Sequence, residues 1–296
     1  MGQQGQTHPV SVNDKTLLHQ KRPHSERGTR LSMSIIDSTE PRVVLCMKWG
    51  PLYPSSYVNV LYHAACKHLA QPFRFVCLTN EPDGLHPKIE HFPIPDLKIP
   101  ETWWYNGAWP KIAVFEKQLY NLHGRCLFID LDSMINASLA PFFESTADLQ
   151  TIDTGENWRP GSAANHAPLA GTGVFTFTLG SLSHIVDTFR EDQQAIIAEH
   201  KIEQVFVQSC VPQIAYWPPD WVISFKRHLR RPLLVDRFQL PSAPPKSCKI
   251  VAFHGDPRPI ELVKGADHRW AKFPHYGKGI VPWMADYWSQ HADSGN

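Results

Sequence analysis

Between Arg42 and Ile135, short apolar and β-branched runs alternate with stretches whose apolar residues recur at helical spacing, and this alternation constrains the fold most tightly. "RVVLCMK" (42 to 48) reads as a strand. A helix is predicted from Ser55 or Ser56, with Tyr57, Val60, Leu61, Ala64, Ala65 and Leu69 on one face and Pro72 ending it. "FRFVCLT" (73 to 79) and "IEHFPI" (89 to 94) are the next strands. Pro110 opens a predicted helix carrying Ile112, Phe115, Leu119 and Leu122 on one stripe, and "RCLFIDLDSMI" (125 to 135) follows as a strand. Strand and helix in strict alternation imply an α/β, Rossmann-like fold, with a mostly parallel central sheet, right-handed crossovers and flanking helices.

The second half is more broken. It offers strand "GVFTFT" (173 to 178), one helix from Ser181 with Leu182, Ile185, Val186, Phe189, Ile196 and Ile197, a short helix at 203 to 211, and strands "WVISF" (221 to 225) and "CKIVAFH" (248 to 254). No internal repeat and no linker interrupt residues 41 to 296, so a single domain is expected there. Residues 1 to 40 are polar and aperiodic and read as a disordered tail. Met33, just before the first strand, offers a second translation start, which mass spectrometry of the native N-terminus would settle.

Composition narrows the function classes. A net charge of +1 and a pI near 7.7 give no electrostatic case for a nucleic-acid partner. Cysteines 46, 66, 77, 126, 210 and 248 show no CxxC pair or disulfide framework and read as apolar residues of a reducing compartment. No run reaches the roughly 18 to 20 apolar residues of a membrane span, and no signal-peptide core precedes the first strand. The expectation is a soluble, cytoplasmic protein. Lys15, Lys21, Arg22, Arg27 and Arg30 in the tail allow at most peripheral contact with the inner face of a membrane. There are 26 prolines in 296 residues, against an average of about 5%, which suggests rigid loops around a site.

Two strand ends carry the chemistry. In a continuous strand Asp130 and Asp132 point the same way while Leu131 points to the opposite layer. Like charges that close repel, and their burial requires a cation, strong donors or open water. A solvent-facing strand end is the common alternative. Cys126 to Ile129 reads as a central buried strand, however, and the carboxyl end of such a strand borders the usual ligand crevice, which favours a divalent metal site. "KIVAFHGDPRP" repeats the pattern: a buried strand delivers His254, Gly255 allows close backbone approach, and Arg258 follows. A histidine merely hydrogen-bonded at a strand end is the more frequent case among 16 histidines. Carboxylate and imidazole together suit Mn²⁺ or Mg²⁺, and Lys111, Lys226, Arg227 and Arg258 are cations able to neutralise a phosphate. "WWYNGAW" (103 to 109) reads as a sugar-stacking loop or as core packing, and "FKRHLRR" (225 to 231) as a solvated basic run or a phosphate contact.

The ordered set "CMKWG", "FRFVCLTN", "WPKIAVFEKQLY", "CLFIDLDSMI", "PPDWVISFKRH" and "VAFHGDPRP" resembles a family of bacterial GT-A glycosyltransferases, distantly similar to glycogenin-type and lipopolysaccharide galactosyltransferase-type enzymes, over about residues 41 to 260. The resemblance implies the GT-A nucleotide-diphospho-sugar transferase fold. It implies a nucleotide-diphosphate sugar donor, a UDP-sugar being expected, and an unknown glycan, lipid or protein acceptor. Asp130 and Asp132 correspond to the family's DxD motif and His254 to its third Mn²⁺ ligand. Arg258 stands where a lysine often contacts the diphosphate, Lys111 matches a lysine near the donor, and Met47, Lys48 and Trp49 match the backbone of the nucleoside pocket. Two departures stand out. "LAGTGVFTF" replaces an Asn-containing segment, and Glu203-Gln204 replaces Asp-Gln, with Asp192-Gln193 further upstream. On spacing, Glu203 joins Asp132 as the expected catalytic carboxylate, against the alternative of an exposed helix acid.

Three rivals share parts of this pattern. A haloacid-dehalogenase-type phosphohydrolase also ends a strand in DxD, but that strand usually opens its core domain, whereas here three predicted strands precede it. A catalytically inactive nucleotide-sugar binder would retain the fold without turnover. A nucleotidyltransferase would carry a glycine-rich basic loop after its first strand, and "MKWGPLYPSS" is poor in that chemistry.

Overall fold

The structure, a computed structural model, describes residues 40–155, 158, 167–264, 277 and 279–292. The expected tail up to residue 39, with Met33, lies outside the described residues. Strand β1 (Arg42–Lys48) is buried along its whole length after Arg42. Its period of two sorts Val43, Leu45 and Met47 into one hydrophobic cluster and Val44 and Cys46 into another, one for each face of the sheet. Helix α1 (Ser55–His68) buries Tyr57, Val60, Leu61, Ala64 and Ala65 as the periodicity predicts and carries Lys67 and His68 in its last turn, where cations suit the helix dipole.

Strands β2 (Arg74–Thr79) and β3 (Glu90–Phe92) follow, then a single helical turn, α2 (Thr102–Tyr105). The stretch opened by Pro110 is not the long helix its apolar stripe suggests. It is a 3₁₀ run, Trp109–Phe115, left by an extended Glu116, and Tyr120 is left-handed at φ 56. Such tight helices stay short, and Leu119 and Leu122 reach the same cluster from the turn that follows.

"RCLFIDLDSMI" also divides. Strand β4 (Arg125–Ile129) belongs to one sheet and β5 (Ser133–Ile135) to another, so Asp130 to Asp132 form the link between sheets rather than the middle of a strand. After β6 (Leu149–Asp153) and β7 (Ala170–Thr178), the predicted helix from Ser181 is two helices, α3 (His184–Glu191) and α4 (Gln193–His200). Asp192, at φ −153, ends the first, and its side chain caps the second by accepting from the Ala195 N–H at 3.0 Å. The remaining elements are α5 (Glu203–Cys210), β8 (Ile214–Tyr216), β9 (Val222–Ser224), α6 (Leu233–Asp236), β10 (Ile250–Ala252) and α7 (Pro282–His291).

The main sheet runs β3-β2-β1-β4-β7-β6-β8 and the small one β5-β10-β9. Strands β3, β2, β1 and β4 are mutually parallel, as expected. The "GVFTFT" strand, β7, instead runs antiparallel to both β4 and β6. Antiparallel neighbours need no helical crossover, and no predicted helix lies between residues 135 and 173. One face of the main sheet packs on α1, α7 and the small sheet, and the other on the 3₁₀ run, α3 and α5.

Candidate active site

From β1 the chain progresses outward to β2 and β3, then returns to place β4 on the other side of β1. In an open α/β sheet that reversal leaves a crevice beyond the carboxyl ends of the two strands. The loop after β1 and the link after β4 border it, and the Tyr53 hydroxyl joins them by donating to Asp132 Oδ2 at 3.0 Å.

Asp130 and Asp132 both line this crevice. Lys111, delivered by the 3₁₀ run and buried, donates from Nζ to Asp130 Oδ2 at 2.9 Å and to the Thr172 carbonyl at 3.1 Å. Glu203, the first residue of α5, is also buried and sets Oε1 3.4 Å from the same ammonium. The Thr172 hydroxyl and the Glu203 carboxylate are hydrogen-bonded, and the Gln204 N–H donates to Glu203 Oε2 at 2.6 Å. Glu203 is therefore no exposed helix acid. Its backbone N–H donates at 2.9 Å to the carbonyl of Gly107, whose φ of +87 and 2.7 Å clearance from the Lys201 carbonyl exclude a side chain there.

Two carboxylates thus converge on one ammonium, with Asp132 beside them. Burial disfavours charge on Lys111, but the Asp130 and Glu203 charges outweigh it and hold the amine protonated. Burial pushes Asp130 above the ordinary carboxylate value against the pull of Lys111. Asp132 is pushed up to about 7 by burial and by the Asp130 charge beside it. Burial, then Asp132, raises the Tyr53 hydroxyl, which stays a donor.

His254 follows β10 and lines the same crevice. The strand end is tied to the acidic link, because the Phe253 N–H donates to the Asp132 carbonyl at 2.9 Å. Ser224 Oγ, at the end of β9, holds His254 Nε2 at 2.7 Å, and the Trp158 ring lies 5.5 Å from the imidazole. Burial, then Lys226, Arg227 and His228, lower His254 to about 4, so the ring is neutral and a potential ligand. Among the described residues, no three His, Cys, Asp or Glu side chains are gathered closely enough to hold a metal ion as they stand. The donor chemistry nevertheless suits a hard divalent cation: two neighbouring carboxylates, with Asp132 raised by burial and then by the Asp130 charge, a third acid nearby, and a neutral imidazole on the same cleft.

Around these groups the cleft holds about 670 Å³, with Tyr105, Gly171, Gly173, Thr172, Glu203, Gln204 and His254 among its walls. Gly173 lies against the acidic link, where a Cβ would sit 3.4 Å from Asp130 Oδ2. A narrower arm continues between Met47, Trp49, Leu52, Trp104 and Tyr105 and shares Tyr53, Lys111, Asp130 and Asp132 with the main cleft. The Trp49 indole donates to the Trp104 carbonyl at 2.9 Å. Met47 and Trp49 line this arm, whereas Lys48, one residue out of phase, turns to Glu81 Oε2 at 2.9 Å and is not among its lining residues. Arg258 lies outside the cleft walls and donates to the Leu52 carbonyl at 3.5 Å. "WWYNGAW" divides between cleft and core, with Trp104 and Tyr105 lining the cleft and Trp109 fully buried against Phe189. Tyr53, Thr172 and Ser224 were not legible as site residues, because each reaches its partner across the fold and no local motif marks it.

No protein-family model matches the chain, and no curated protein sequence does either. Solved structures do match. The galactosyltransferase LgtC, in complex with donor and acceptor sugar analogues, aligns at a TM-score of 0.52 and 14% identity over 86% of this chain and 97% of its own. An active-site mutant of LgtC aligns at 0.51 over the same shares. The glycosyltransferase GlyE of Streptococcus pneumoniae gives 0.47 at 12% identity over 85% of this chain and 62% of its own, too low to add weight. The architecture built above from strand order and crevice is the GT-A fold of LgtC.

Proposed function

We propose that this protein is a metal-dependent glycosyltransferase that moves a sugar from a nucleotide-diphosphate donor, a UDP-sugar, to an acceptor hydroxyl. The observation that carries the reading is one continuous cleft at the β1/β4 switch point, which combines an aromatic arm with an acidic centre around Lys111. Trp49, Trp104 and Tyr105 form a wall suited to a nucleobase, with Met47 beside them. Asp130, Asp132 and His254 would hold Mn²⁺ or Mg²⁺, which when bound supplies Lewis-acid stabilisation to a departing diphosphate.

The protein's own groups prepare that centre. Lys111 fixes Asp130 and Tyr53 fixes Asp132, while Ser224 sets the His254 ring. Glu203 holds the Lys111 ammonium in place and walls the sugar side together with Gln204. Arg258, tied to Leu52 at the rim, adds positive charge for the phosphates. In the transfer, the acceptor oxygen bonds to the anomeric carbon as the bond from that carbon to the diphosphate oxygen breaks. The diphosphate leaves as an anion and the hydroxyl proton passes to water.

Thermal shift tests the reading, since a ligand that binds the native state raises its stability by RT ln(1 + [L]/Kd). A rise in Tm with UDP that requires Mn²⁺, lost in Asp132→Ala with circular dichroism unchanged, is the expected result. Absence of a shift with any nucleoside diphosphate, with or without metal, would overturn it and turn attention to phosphate-ester hydrolysis.

A further inference from the structure

Beyond the cleft, four of the nine large apolar side chains found exposed among the described residues fall within eight positions: Leu233, Leu234, Phe238 and Leu240, with Leu234 85% and Phe238 71% exposed. They are held out by a braced loop. The Ser242 N–H donates to the Leu229 carbonyl at 2.8 Å and closes its base. Asp236, fully buried, accepts from Arg230 Nε at 2.6 Å and pins its middle. Helix α6 sits at the tip, where the Val235 and Asp236 N–H groups donate to the Pro232 carbonyl at 2.8 and 2.9 Å.

The charge of this loop has one sign. Residues 226 to 240 contain Lys226, Arg227, Arg230, Arg231 and Arg237 against Asp236 alone, and that acid is spent on Arg230 inside the loop. Arg227, Arg231 and Arg237 are exposed among the apolar residues, with the Arg237 guanidinium 5.8 Å from the Phe238 ring. Arginine stems cover apolar surface while their heads stay at the level of a polar interface. Apolar side chains flanked by cations match the two layers of an anionic bilayer surface, acyl chains beneath phosphates. A second copy of the chain is the poorer fit, because a two-fold contact would set these arginines against their own counterparts.

We propose that the 230–240 loop docks the protein on an anionic lipid bilayer, with Leu233, Leu234, Phe238 and Leu240 entering the interface and Arg231 and Arg237 meeting lipid phosphates. The same chain segment leaves β9 at the cleft, where Ser224 holds His254 and Lys226 Nζ lies 3.2 Å from the position a Cβ on Gly255 would take. The inference is independent of the transferase reading, since vesicle binding and nucleotide binding are separate measurements.

Co-sedimentation of the full chain with vesicles tests it. Binding is expected to mixed phosphatidylcholine and phosphatidylglycerol vesicles, to weaken as salt screens the lipid charge, and to be much lower on pure phosphatidylcholine. The double variant Leu234→Asp, Phe238→Asp alters only exposed positions and should weaken binding at least tenfold, with Arg231→Gln, Arg237→Gln weakening it on anionic vesicles alone. Unchanged binding in both variants would assign any attraction to the basic N-terminal residues and overturn the proposal. So would loss of a dimer in the aspartate variant, by light scattering, without any vesicle binding in the parent chain.

Discussion

Lys111 is the residue on which most of the candidate centre depends. Its ammonium lies between Asp130 and Glu203 with only 6% of the side chain exposed, so removing it leaves two acids facing each other without compensation. Loss of one partner from a buried ion pair costs about 3–5 kcal/mol. Lys111→Met should therefore lower stability by about 3 kcal/mol in urea unfolding, at the lower end because Asp130 keeps some contact with solvent. Adding Glu203→Gln should recover part of that loss, since it removes the repulsion between position 203 and Asp130 and leaves Asp130 as the one acid without its lysine. An unchanged midpoint in the single variant would show that the acids tolerate each other without the lysine. Residue identity alone showed Lys111 as a cation before a DxD segment. Its burial depends on Thr172 and Glu203, which lie 61 and 92 positions further along the chain.

At the scale of the element, Asp192 decides whether one helix or two follow β7. The apolar spacing from Leu182 to Ile197 fits one continuous helix, but an aspartate that accepts from a backbone N–H three residues on offers the chain a helix start at that point. Asp192→Ala should cost about 1 kcal/mol, the usual loss of an N-terminal cap, read as a lower urea midpoint with an unchanged slope. An unaltered midpoint would mean that the burial of Ile197 alone holds α4. The Pro110 segment shows the opposite failure of pattern. Its apolar stripe is real and every member is buried, yet the helix stops at Phe115, because Leu119 and Leu122 reach the core from a turn with a left-handed Tyr120. Periodicity reports which residues face the core and is silent on the backbone path that brings them there.

At the scale of the whole molecule, α7 returns the chain to α1 and covers one face of the main sheet. Its last residue, His291, is 4% exposed, packs 4.8 Å from the Tyr287 ring and accepts through its carbonyl from His63 Nδ1 at 2.8 Å. Burial first, then Lys67, His68 and His63, lower the His291 imidazole from 6.5 to about 4. The unfolded chain thus binds this proton more readily than the native one. Its destabilising effect is absent above pH 6.5 and grows as the pH falls from 6.5 toward 4. His291→Gln should flatten the fall in Tm across that window, while leaving Tm at pH 8 within a few degrees of the parent. An equally steep fall in the variant would place the acid sensitivity elsewhere. The sequence by itself determined the α/β class, the parallel order of the first strands, the two-faced burial of β1 and β4, and the two strand ends that carry Asp130, Asp132 and His254, because hydrophobic period and strand-end chemistry are local properties of the chain. Only the tertiary structure decided that the acidic link passes between two sheets, that β7 runs antiparallel, that Glu203 turns inward to Lys111, and that Tyr53, Thr172 and Ser224 hold the centre. Each of these is a contact between segments far apart in sequence, and which distant partner satisfies a buried polar group is settled by the packed fold.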